Sequence, residues 1–336
     1  MKEKVKLNDL KIGMHITLPS SWLSHNFLKS NFLIDSTALL KEVQSQKLSH
    51  VIVDTEKSSL QEEPTAESLA YLSHNDAVND PKNEPPPEEW NSHDAVPDTL
   101  IEAIESKKLS AEEKAKAVYL NSLTMMKGLL EKPTAENIHA SKAAISSITD
   151  LILSDDKMAE SLLRITSHDF YTYTHSVNVG VSSLLLAKAL FKGSDAHDLH
   201  ELGAGFFLHD LGKVKVNPEV LNKPARLTEA EMRHVRIHPY QGYKLLESAN
   251  ALSEECRLII MQHHEFIDGT GYPRSLKGEE IHVYGKICGI ADVFDALTAE
   301  RSYKKAMTNF GALTLMKEKM ISHFDKKIFG SFVQLY

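Results

Sequence analysis

The sequence predicts a mainly α-helical protein. A histidine-rich helical domain follows a small α/β unit and an acidic, proline-rich linker. Three observations carry this reading. Apolar residues recur at helical spacing through almost everything after residue 98. Between residues 55 and 97 the composition turns to Pro, Glu, Asp, Asn and Ser, and half of the 12 prolines lie from Pro64 to Pro97. Ten of the 17 histidines fall between His168 and His282.

Residues 1–54 read as the small α/β unit. "HITLP" and "HVIVD" are short β-rich runs, and "STALLKEVQSQ" reads as a helix with Ser36 as its N-cap. The segment 55–97, with its "PPPEE" core, lacks the apolar residues of a packed domain and is expected to be a solvated linker. Leading helices follow over 98–164. "LSAEEKAKAVYLNSLTMMKGLL" opens with a capping box, Ser110 with Glu113. Further helices are expected over about 134–153, 173–191, 197–211, 228–236, 254–264, 284–299 and 309–322, and Thr228 with Glu231 repeats the capping box. No internal repeat is visible.

Composition narrows the function classes. No apolar stretch approaches the ~18 residues needed to span a bilayer. The start, "MKEKVKLNDLKIGMH", has no signal-like apolar region, so a cytoplasmic protein is expected. Cys256 and Cys288 stand in no paired metal-binding spacing, which fits a reducing compartment. A formal charge of -8 argues against a broad nucleic-acid surface, so an anionic ligand must meet a few locally placed cations.

Five pieces of the helical region place His or Asp beside strongly apolar residues. They are "YTYTHSVNV" with His175, "FFLHDLGKVKV" with His209, Asp210 and Lys213, and "VRIHPYQG" with His238. "QHHE" with His263 and His264, and "GIADVFDALTAERSYKKAM" with Asp292 and Asp295, complete the set. One buried histidine usually just satisfies a backbone carbonyl, and "HDLGK" alone reads as a helix end with Gly212 as C-cap. Several such residues together match the donor set of a binuclear site for Fe, Mn or a similar divalent ion.

With these motifs in this order, residues 165 to about 330 resemble an HD-GYP domain of the HD phosphohydrolase superfamily. "HDLGK" spans His209 to Lys213, "HHEFIDGTGYP" spans His263 to Pro273, "DVFDALTAERSYKKAM" matches the closing motif, and "HFD" at 323–325 fits the tail. Residues 1–54 resemble the small regulatory domain that often precedes HD-GYP domains, the catalytic domain then being 165–336. The resemblance implies a helical HD-type bundle and hydrolysis of cyclic di-GMP, to linear pGpG or to GMP, by a metal-bridging hydroxide. It implies two divalent metals, Fe before Mn, held by His175, His209, Asp210, His238, His263, His264 and Asp292, with Asp210 bridging. Lys213, Tyr272, Arg301 and Lys304 would face the substrate, with Asp210 and Lys213 catalytic. It also implies signalling partners such as GGDEF-type proteins. Asp295 and Asn178, each one turn after a proposed ligand, are expected to support the ligands rather than bind metal.

One departure bears on the chemistry. Some relatives hold a third metal through a glutamate four residues before the first histidine, and here that position is Tyr171. A phenol is a poor ligand at neutral pH, so two metals are expected. Two other readings remain at this stage: a non-catalytic cyclic di-GMP sensor, and a phosphohydrolase of another nucleotide.

Overall fold

The computed structural model describes residues 2–11, 13–17, 31–34, 40, 43–44, 50–55, 95–165, 172–221, 223, 227–299 and 306–336. The chain divides into two compact units, 1–91 and 92–336. The linker expected over 55–97 lies almost wholly outside the described residues.

The first unit holds a four-stranded antiparallel sheet. Its strands are β1 (Lys2–Val5), β2 (His15–Thr17), β3 (Asn31–Leu33) and β4 (Val51–Asp54), in the order β1-β4-β2-β3. Val51 pairs with Val5, and Ile16 lies between Phe32 and Val53. Alternation puts Ile16, Val51 and Val53 on the buried face with Leu7, Leu10, Ile34 and Val43. The two expected strands are β2 and β4. β1 and β3 were not expected, because the charged "KEKV" and the three-residue "NFL" carry little apolar pattern. Leu40, Val43 and Gln44 are helical as predicted, while Ser36 lies outside the described residues.

In the second unit, α1 is Asp98–Glu105, α2 is Ala111–Glu131, α3 is Ala135–Ser154 and α4 is Asp156–Ile165. Then come α5 (Thr172–Leu190), α6 (Leu199–Leu208), a 3-10 turn (Leu211–Lys215) and the single turn α7 (Pro218–Leu221). The rest is α8 (Glu229–Val235), α9 (His238–Ser248), α10 (Glu254–Gln262), α11 (Val283–Thr298), α12 (Asn309–Lys319) and α13 (Lys326–Val333). Both predicted capping boxes form, Ser110 with Glu113 and Thr228 with Glu231.

Helix ends are where sequence and structure part. The helix expected over 197–211 starts at Leu199, because the Asp198 carboxylate accepts from the backbone of His200 and Glu201, and it stops at Leu208. Gly212 therefore lies inside the 3-10 turn and is no C-cap. The helix expected over 254–264 stops at Gln262, leaving His263 and His264 beyond its last turn. α9 falls outside the helices that the periodicity predicts. His-Pro reads as a helix breaker, yet proline in a first turn, where its missing N–H is not needed, starts one.

α5 and α6 form the middle of the bundle. α6 buries every residue from Leu202 to Leu208, Phe206 and Phe207 included. Each such apolar side chain contributes about 1.5–3 kcal/mol. α6 packs on α3, α5 and α10, while α11 lies against α5 and α10. The leading helix α2 packs on both α4 and α5. Among the described residues no helix is long and apolar enough to cross a membrane.

Candidate metal centre

All seven expected ligands meet at one place in the second unit. They arrive from the start of α5 (His175), the end of α6 (His209, Asp210), the start of α9 (His238), the end of α10 (His263, His264) and the middle of α11 (Asp292). Two groups of donors result, Asp210 with His238, His263 and His264, and His175 with His209 and Asp292. Within each group the ligand atoms lie within 4.8 Å of one another.

Asp210 joins the groups. Its backbone, at φ -100° and ψ 5°, turns the chain out of α6. One carboxylate oxygen lies 3.3 Å from His175 Nε2 and 3.5 Å from His209 Nε2, and the other 3.2 Å from His238 Nε2. Asp292 spans the groups too, 3.1 Å from His175 Nε2 and 3.3 Å from His264 Nδ1 through its two oxygens. Gly212 lets this turn close on α9, since a Cβ there would stand 1.9 Å from the His238 carbonyl oxygen.

The ring nitrogens show what the cluster fits. His209, His238 and His263 each donate Nδ1–H to the carbonyl three residues earlier, of Phe206, Val235 and Ile260, at 2.8, 2.9 and 2.9 Å. The His175 Nδ1–H goes to Asp295 at 2.7 Å. The four Nε2 atoms are thereby turned inward on one another, His209 facing His175 at 3.3 Å and His238 facing His263 at 3.2 Å. Lone pairs face each other at such distances only around a cation or a shared proton. Asp210 Oδ1 is buried with no hydrogen-bond donor. A buried carboxylate oxygen left so is costly unless a cation reaches it. The donor set thus fits a pair of divalent ions.

The charge states agree. Burial pushes His238 down to about 4 and His263 well below the usual histidine range, so both are neutral donors at pH 7. Burial would also lower His175, but hydrogen bonds to Asp210, Asp292 and Asp295 outweigh it and hold the group well above its usual value. That proton is the charge a bound metal would displace. Burial opposes ionisation of Asp210 and Asp292. Lys213 and the neighbouring histidines overcome it at Asp210, and His264 and His175 at Asp292, so both stay well below the carboxylate range.

The supporting residues extend outward as expected. Asn178 donates to the second Asp295 oxygen at 2.8 Å, and Tyr119 of α2 donates to the Asn178 side-chain oxygen at 2.9 Å. Lys213 pairs with Asp210 itself. Tyr272 stacks on His264, ring centroids 4.5 Å apart, and burial with the nearby Asp292 and Asp210 keeps its phenol protonated.

Glu265 carries a structural role that its motif does not announce. Its two buried oxygens accept the backbone N–H of Arg274 and Leu276 at 2.7 and 2.9 Å, folding the turn that carries Tyr272. The glycines of that turn also serve the chain itself. Gly269 has φ +81°, and a Cβ on Gly271 would strike the His264 carbonyl oxygen at 2.4 Å. Arg301, Lys304 and Tyr171 lie outside the described residues.

Comparison with known proteins agrees with this geometry. A profile described as an HD domain matches residues 157–328, and one described as a domain of unknown function matches residues 2–144. A cyclic di-GMP phosphodiesterase of Pseudomonas aeruginosa is 32% identical over 99% of this chain and 76% of its own length. The chain belongs to the HD-GYP family. A 3'3'-cGAMP-specific phosphodiesterase of Vibrio cholerae is 40% identical over 48% of this HD-GYP chain, but the match covers only 34% of that relative. A solved HDG"Y"P protein from Bdellovibrio bacteriovorus has the same fold, with a TM-score of 0.57 at 16% identity over 100% of this chain and 99% of that one.

Proposed function

We propose that this HD-GYP protein is a metal-dependent phosphodiesterase that hydrolyses cyclic di-GMP to a linear dinucleotide. The observation that carries the reading is the facing of four Nε2 atoms around the buried Asp210 carboxylate. His175, His209 and Asp292 would hold one divalent ion and His238, His263 and His264 the other, with Asp210 shared. Iron is the first choice and manganese the second, for a set of five imidazoles and two carboxylates. Such a pair makes water acidic enough to attack near neutral pH and offsets the charge on phosphorus.

The chain's own residues do the rest. Lys213, beside Asp210, holds a positive charge next to the scissile phosphate. The protonated Tyr272 hydroxyl donates to a phosphate oxygen. Arg301 and Lys304 are assigned the remaining phosphate charge. Water adds OH to phosphorus, the bond to the ribose 3' oxygen breaks, and that oxygen leaves with the proton. An apolar pocket walled by Leu130, Val214, Val216 and Leu221 shares Lys213 with the centre and gives a nucleobase a surface next to the phosphate.

The 40% identical Vibrio relative favours including a second substrate, the mixed GMP-AMP ring. The test is anaerobic loading with Fe(II) or Mn(II), a metal count, and chromatography of products from cyclic di-GMP, 3'3'-cGAMP and mononucleotides. The expected result is two ions per chain and a linear product, with release of GMP as the further question. Binding without any linear product, or a mononucleotide turned over faster, overturns the reading. Contact with GGDEF-type proteins remains a proposal, tested by co-purification.

A further inference from the structure

Arg236 lies two residues before the ligand His238, at the end of α8, and its side chain is exposed. Its guanidinium carbon stands 5.1 Å from the centroid of the Tyr272 ring. Tyr272 in turn stacks on His264. The stack His264–Tyr272–Arg236 therefore sets a cation one ring beyond a metal-binding imidazole.

The neighbouring cations already have carboxylates. Lys213 pairs with Asp210, Lys223 with Glu231, and Arg233 approaches Glu229. Among the described residues no carboxylate pairs with Arg236. A cation–π contact at an exposed site contributes only about 0.5–1 kcal/mol. It fixes the direction of the planar fork without using its donors, which match a phosphate oxyanion. On a chain of net charge -8, an unpaired guanidinium held at the mouth of the centre is a place for an anion.

We infer that Arg236 is a substrate-binding residue that takes the phosphodiester not being cleaved. This rests on the cyclic dinucleotide reading above. Such a ring carries two phosphodiesters, so when one is held beside Asp210 and Lys213 the other needs a cation further out. Arg236 then favours cyclic dinucleotides over substrates with a single phosphodiester.

The experiment compares wild type, Arg236→Ala and Arg236→Lys, loaded with Mn(II), on cyclic di-GMP, linear pGpG and bis(p-nitrophenyl) phosphate. Loss of a charged contact to phosphate predicts a KM for cyclic di-GMP raised about tenfold or more in Arg236→Ala, with kcat changed less than about threefold. Arg236→Lys falls between, and the gap to wild type narrows in high salt. On bis(p-nitrophenyl) phosphate, kcat/KM changes less than about threefold. An unaltered KM for cyclic di-GMP overturns the inference. So does an equal loss of kcat on all substrates, which makes Arg236 only a prop for Tyr272. A larger KM effect on linear pGpG than on the cyclic substrate reassigns Arg236 to the terminal phosphate and also overturns it. If wild type hydrolyses bis(p-nitrophenyl) phosphate but not cyclic di-GMP, the failure is in the substrate reading instead.

Discussion

His209, His238 and His263 form an inner wall of the centre, and His175, His264 and Asp292 an outer one; the two are anchored differently. The inner imidazoles are fully buried, and each repeats one device: Nδ1–H donated to the carbonyl three residues before it. In the outer wall, His175 is held by the carboxylate of Asp295, and the side chains of His175, Asp292 and His264 keep 12, 10 and 18% of their surface exposed. A backbone anchor comes with the helix end and adds no charge. A carboxylate anchor must be brought from another helix, and it makes the ring a stronger base. The inner wall would thus fix where bound ions sit, and the outer wall would govern how readily protons, water and substrate reach them.

Asp210 joins both walls, so its removal should have the largest effect. Asp210→Ala is expected to lose both ions and to lower activity on the order of a thousandfold or more, measured by metal analysis and initial rates. Full metal content in that variant would mean that the two walls hold their ions independently. Asp295→Asn touches the outer wall alone. It should weaken metal binding by about 10–100-fold and change its pH dependence. Binding needs His175 neutral, so affinity rises as pH passes upward through the raised His175 value. Without the Asp295 charge that value falls, and the acid limb of a Mn(II) titration moves to lower pH. An unmoved limb would show that Asp295 does not set the basicity of His175.

The convergence of these side chains was legible because they sit in short motifs whose spacing survives folding: "HDLGK", "HPYQG", "QHHE" and "ADVFD". Asp295 was readable as a support from its place one turn after Asp292. What was not legible depends on helix ends and on contacts made in three dimensions. The exit of α6 at Leu208 follows from the Asp210 backbone, which periodicity cannot see. Nothing in the local sequence marks Arg236, since only folding brings it over Tyr272. Glu265, within a recognised motif, gave no sign whether it faced metal or main chain until its two backbone donors were visible.

The smallest expected effect tests how far the outer wall extends. Tyr119 lies on α2, outside the 157–328 span of the HD-domain profile, yet it joins the chain of hydrogen bonds from His175 through Asp295 and Asn178. It is 2% exposed, so its ring also packs the interface of α2 with α5. Tyr119→Phe keeps the ring and removes only the hydroxyl. Loss of that bond should lower stability by about 1 kcal/mol, or a few degrees in Tm for a unit of this size. Asn178, with one bond fewer, then orients Asp295 less firmly, so Mn(II) affinity should fall a few-fold, less than in Asp295→Asn. A drop in Tm with unchanged affinity would confine Tyr119 to packing and end the outer wall at Asn178. A parallel fall in both would make the leading helix part of the metal centre.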